Sequence, residues 1–206
     1  MVPQSEARED EMHRTSSGRL QCAATTIVLA GLVSAGAGSA ISAEPDKETF
    51  IRDALSAAPP AVASTATVMT MDNKVLKQGT GAYTCFATPA DELANGLHEP
   101  MCLDKPWVAW ADAWMNKKPF KAERSGIAYM LAGDTGASNT DPYATAKTAD
   151  NQWVVEGPHI MVLLPDPAQL DAFPTDPNSG GPYVMWKGTP YAHIMVPVAA
   201  RPTGKE

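Results

Sequence analysis

The apolar run from Ala23 to Ala37 most constrains what this chain can build, because it reads as a segment removed before the rest matures. Ile27, Val28, Leu29, Leu32 and Val33 form its centre, Arg14 and Arg19 precede it, and Ala40-Ile41-Ser42-Ala43 follows, with small Ala43 as the expected last residue before cleavage. A positive flank, a short apolar core and a small-residue exit are the three parts of a secretory signal. The run is rich in Ala, Gly and Ser and falls short of the ~20 strongly apolar residues that a membrane span requires. The acidic stretch from Ser5 to Glu11 does not suit such a leader, so Met12 is a candidate true start. The expectation is a signal peptide over residues 1–43 and one exported domain over 44–206, with no stable membrane anchor after cleavage.

Cleavage there removes Cys22 and leaves Cys85 and Cys102 as a lone pair in 163 residues. An even count in an exported chain favours a disulfide. Thiolate metal ligation is the alternative, but it usually brings a close Cys-x-x-Cys pair, which is absent. The whole chain carries 16 basic and 23 acidic residues, a net charge of -7 with no Lys/Arg cluster. That balance argues against nucleic acid and against an anionic membrane surface as partners.

Periodicity predicts a helix from Lys47 to Ala57, stopped by Pro59-Pro60, then strands over Ala66–Met71 and Lys74–Lys77 around an Asp72-Asn73 turn. A strand over Tyr83–Phe86, a polar loop over Pro89–Glu99 and a short extended Met101-Cys102 follow. Asp104 and Pro106 open a second helix that Lys117-Lys118-Pro119 closes. The second half predicts strands at Gly126–Leu131, Trp153–Val155, His159–Leu164, Tyr183–Trp186 and His193–Val198, with a short helix between Pro167 and Phe173. Helices toward one end and strands through the rest point to an α+β fold. The expected form is a single domain with a mainly antiparallel sheet and two or three short helices.

Phosphate-loop and dinucleotide motifs are absent, and Ser138 and Ser179 sit in Gly-flanked loops without the Gly-x-Ser-x-Gly turn of an α/β-hydrolase. Asp134, Asn139 and Asp141 place oxygen ligands in one loop, but Asx turns account for them equally. Trp107, Trp110 and Trp114 share one helix face. They could form an aromatic platform for a flat ligand, but such a stripe is the ordinary mark of a core-facing helix.

The local pattern that repeats is His-Ile-Met-Val, at His159 to Val162 and at His193 to Val196. In a strand, residues two apart share a face, so His159 goes with Met161 and His193 with Met195. Were the two strands neighbours, imidazoles and thioethers would converge in a ligand set suited to copper, especially Cu(I). His98 and Met101, near Cys102, could add to it. The competing reading is a pair of hydrogen-bonded core histidines among ordinary packing methionines.

Several segments resemble a family of small exported bacterial proteins of unknown function. They are Gly79-Thr80-Gly81-Ala82-Tyr83-Thr84-Cys85, Pro100-Met101-Cys102-Leu103-Asp104 with Trp107, and Gly126 to Leu131. Ser138 to Pro142, Gly157 to Met161 and Ser179 to Tyr183 continue the resemblance, which spans about Thr67 to Val198. The family carries Asn-Gly-Trp where this chain has Gly81-Ala82-Tyr83. The resemblance implies an exported single domain and brings no activity. The expected role is thus a periplasmic or secreted binding or accessory protein without turnover, with copper as its most specific ligand. A small hydrolase using His159 or His193 with a loop Ser or Asp is the alternative, and a structural envelope protein with no small ligand is a third.

Overall fold

A computed structural model describes residues 45–203, so the expected signal peptide and start site lie outside the described residues. The first helix, α1 (Lys47–Ser56), begins where Asp46 accepts a 2.7 Å hydrogen bond from the Thr49 amide, satisfying one of the free donors of its first turn. Its buried Asp53 accepts from the Thr88 amide at 2.7 Å and pairs with His98 at 2.8 Å, which ties the helix to the loop after β3 (Thr84–Phe86).

Nine of the ten strands among the described residues fall where the sequence places extended chain, and the short Ala137–Ser138 strand was not expected. An eight-stranded sheet contains, in chain order, β1 (Thr67–Met69), β2 (Val75–Lys77), β3, β4 (Met101–Leu103), β5 (Gly126–Met130), β8 (His159–Leu163), β9 (Tyr183–Met185) and β10 (His193–Pro197). Its spatial order is β2-β1-β3-β4-β5-β8-β10-β9. All neighbours are antiparallel except β1 and β3. A small separate ladder joins β6 (Ala137–Ser138) to β7 (Trp153–Val154). The fold is α+β with a mainly antiparallel sheet.

Helix content is higher than the two or three helices expected. Pro59-Pro60 ends α1 but also starts α2 (Pro60–Ala63), because proline lacks only an amide that a first turn leaves unpaired anyway. The polar loop holds α3 (Ala90–Ala94), with Asp91 and Glu92 in its first turn, where the helix dipole favours acids. Helix α4 (Lys105–Met115) ends at Asn116, short of the predicted Lys117-Lys118-Pro119 stop. A 3-10 helix spans Pro167–Ala172.

Both faces of the sheet are covered. On one face Val68, Cys85 and Cys102 pack under α1 through Ala54 and Ala57, while Val184 and Ile194 pack under Leu170 of the 3-10 helix. Cys85 and Cys102 oppose each other on β3 and β4 and are disulfide-bonded. On the other face α4 lays Trp107 and Trp110 over Leu103, Met130, Met161, Met195 and Met185. The α4 cap fixes this docking: one Asp104 carboxylate oxygen accepts from Trp107 of the helix at 3.1 Å, the other from Ile127 of β5 at 2.7 Å. Among the described residues no helix is long and apolar enough to cross a membrane.

Candidate functional site

The two His-Ile-Met-Val segments are neighbouring strands. Strands β8 and β10 run antiparallel with Met161 directly opposite Met195. Alternation then puts His159, Met161, His193 and Met195 on one face, the face under α4. All four are buried and line one cavity of about 260 Å3, together with Met101, Met130 and Met185 from the same sheet. The register spreads the histidines, however. His159 sits opposite Pro197 at one end of the block, and His193 lies beyond the Ile194–Val162 pair at the other, with the two methionines between them.

Each imidazole is held in the same way. His159 Nδ1 lies 2.8 Å from the Gly157 carbonyl, and His193 Nδ1 lies 2.9 Å from the Tyr191 carbonyl. A carbonyl oxygen can only accept, so both Nδ1 atoms carry the proton and both Nε2 atoms present a lone pair. Both Nε2 atoms are buried and have no hydrogen-bond partner among the described residues. Leaving such an acceptor unpaired costs about 1–3 kcal/mol. Orientation of a ring through Nδ1–H to a backbone carbonyl, with Nε2 free, is the arrangement that metal-binding histidines use. Burial pushes the His193 imidazole down to about 4 and also lowers His159, so both rings are neutral at physiological pH.

The aromatic helix face is both roof and core. Trp107 is fully buried, Trp110 nearly so, and Trp114 lies half-exposed at the edge. Their indoles do not form an open platform, because they pack down on the sheet. Trp186, whose backbone sits at φ 56, stacks on Trp110 with centroids 5.6 Å apart and planes 1° from parallel. His193 meets Trp107, Trp110 and Trp186 edge-to-face at 5.2, 5.5 and 5.2 Å. Three indole N–H groups donate to carbonyls: Trp110 to Tyr191, Trp114 to Pro142 and Trp186 to Ser138. Trp107 Nε1 is buried without a partner.

Acidic groups border the cavity. Asp134 and Glu99 reach it, and burial raises the Asp134 carboxyl to about 7. Glu92, beside Glu99, is likewise pushed up to about 7 by burial first and by Glu99 second. Nearby Glu156 is buried and accepts from the Tyr183 hydroxyl at 2.9 Å and from Arg201 at 2.6 Å. Of these, Glu99 and Asp134 line the cavity, while Glu156 is balanced by the Arg201 guanidinium.

Other sequence candidates fall elsewhere. His98 pairs with Asp53 on the α1 side, away from the methionine face, although Met101 does reach the cavity. Asp134 and Asp141 accept amides two residues ahead, as Asx turns do, and the Asn139 amide nitrogen donates to Gln152 and Thr175. Ser138 is buried and spends its hydroxyl on Asn151 and on the Thr140 and Asp141 amides. Ser179 is exposed in a loop, and neither buried histidine hydrogen-bonds a serine or an aspartate. Among the described residues no three His, Cys, Asp or Glu gather around a common point. Sequence reasoning missed Met130, Met185 and Trp186, whose places depend on strand pairing. No family model, curated protein or solved structure matches this chain.

Proposed function

We propose that this is an exported protein that binds a soft monovalent metal ion, copper(I), in the cavity between α4 and the β8–β10 strands. The observation that carries the reading is the pair of buried, unpartnered Nε2 lone pairs on a face that also carries the thioethers of Met130, Met161, Met185 and Met195. Neutral imidazole and thioether together are a soft ligand set, matched to Cu(I) and poorly matched to Mg, Ca or Mn. The rings are pre-oriented through Nδ1, so ligation costs little ordering. Nothing in the cavity supplies a nucleophile with a base, so the reading is of holding or passing on the ion without turnover. Export is supported by the bonded Cys85–Cys102 pair, by the leader-like residues 1–43 and by the resemblance to small exported proteins.

The test is a Cu(I) titration of the purified protein against a chromogenic Cu(I) chelator, beside a His159→Ala/His193→Ala double variant. Tight binding by the wild type that the double variant loses supports the reading. Equal, weak binding by both proteins overturns it and leaves a packed core with no ion.

A further inference from the structure

The strand register carries the metal reading further. Where Met161 faces Met195, a local two-fold axis relates β8 to β10 and, outside them, β5 to β9. Across this axis the chemistry repeats. His159 stands directly opposite Met130 of β5, and His193 directly opposite Met185 of β9. Each histidine is followed two residues later by a methionine on the same face, and each donates Nδ1–H to the carbonyl two residues before it. Met130 and Met185 line the same cavity as the two histidines.

We infer, on the basis of the copper reading above, that the cavity holds two soft-metal sites, His159 with Met130 and Met161, and His193 with Met185 and Met195. Distance separates them. His193 lies four residues along and one strand across from His159, about 14 Å between Cα atoms at ~3.3 Å per residue and ~4.8 Å per strand. Two rings rising from one face at that spacing do not meet across two metal–nitrogen bonds of about 2 Å each. Directly opposed residues on paired strands are only about 5 Å apart, so each histidine reaches its own Met130 or Met185. Each site is then one imidazole with two thioethers, a three-coordinate set that suits a d10 monovalent ion. Met161 and Met195 face each other across the axis, one belonging to each site. The centres of the two ligand triangles lie about 12 Å apart by the same spacings, and at an effective dielectric near 20 repulsion between two single charges weakens the second ion by about tenfold.

Ag(I) serves as a redox-inert probe, counted by native mass spectrometry and by chelator competition on the purified protein. The wild type should hold two ions, the second no more than about tenfold weaker. Met130→Leu and Met185→Leu keep volume and apolarity, so both variants should fold, and each should hold one ion tightly. The two sites also differ optically. Trp107, Trp110 and Trp186 meet His193 edge-on, so Met185→Leu should remove most of the Ag(I)-induced change in tryptophan emission and Met130→Leu should retain it. One ion per chain, weakened alike by both substitutions, overturns the two-site inference and leaves the copper reading standing. Two ions indifferent to both substitutions overturn the assignment of Met130 and Met185. No ion at all overturns both.

Discussion

Replacing His193 by Phe tests whether this ring is kept for ligation or for packing. His193 is 1% exposed, enclosed by three indoles, and its imidazole falls from an ordinary 6.5 to about 4 through burial. The unfolded chain therefore takes up a proton on this side chain between pH 6.5 and 4 that the folded chain refuses. Because the folded value is depressed, stability is full above about 6.5 and drains away as pH falls toward 4. Between pH 8 and pH 5 that linkage removes about 2 kcal/mol from the metal-free wild type. Phenylalanine does not titrate, so the variant keeps this contribution. At pH 8 the variant loses one hydrogen bond of about 1 kcal/mol and sheds an unpaired acceptor costing about 1–3 kcal/mol. The Tyr191 carbonyl retains its second donor, Trp110, at 3.2 Å. Wild type and variant should thus agree within about 1 kcal/mol at pH 8, with the variant ahead by about 2 kcal/mol more at pH 5. Urea unfolding of chelator-treated protein at both pH values measures the difference. Parallel pH profiles, or a loss of 3 kcal/mol or more at pH 8 (roughly what a core deletion costs), would refute the argument that this histidine sits in the core at a cost to stability.

Other residues give equally direct expectations. The Cys85–Cys102 bridge spans 17 residues, so Cys85→Ala/Cys102→Ala should lose about 3 kcal/mol by loop entropy, read as a drop in Tm that reductant reproduces in the wild type; an unchanged Tm contradicts it. Asp134 is raised to about 7 by burial, so its contribution is present below pH 4 and is lost as pH rises toward 7. Asp134→Asn keeps an oxygen for the Gly136 and Glu156 amides and should gain on the order of 1 kcal/mol at pH 8 with no gain at pH 4 in denaturant titrations. A Cβ on Gly157 would lie 2.3 Å from the Ala200 carbonyl oxygen; Gly157→Ala should therefore cost about 2 kcal/mol or more. The same change should weaken Ag(I) at the His159 site, whose orienting carbonyl belongs to Gly157, and leave the His193 site intact in the chelator competition.

Much of the secondary structure was legible because each signal is local. Asp104 with Pro106 marks the start of α4 without reference to any other element, and the short apolar, β-branched run from His159 to Leu163 marks a strand by itself. The pairing of Cys85 with Cys102 followed from counting the cysteines that remain once the expected leader takes Cys22. Short α3 was missed because its apolar content is a single buried Leu93, too little to set a helical period. The parallel placement of β1 beside β3 was out of reach for another reason: β2 intervenes in the sequence and moves to the sheet edge.

By itself, then, the sequence determined most of the longer elements, the α+β class and the kind of donor present, imidazole and thioether in two matching strands. Tertiary structure alone decided how those donors meet. Pairing Met161 with Met195 put all four residues on one face and sent the two histidines to opposite ends of it. The β5 and β9 pairings brought in Met130 and Met185, and the Gly157 and Tyr191 carbonyls turned each Nε2 inward. The physical reason is that side-chain alternation is written in a strand one residue at a time. Register is a property of two strands, and only the packed sheet fixes it.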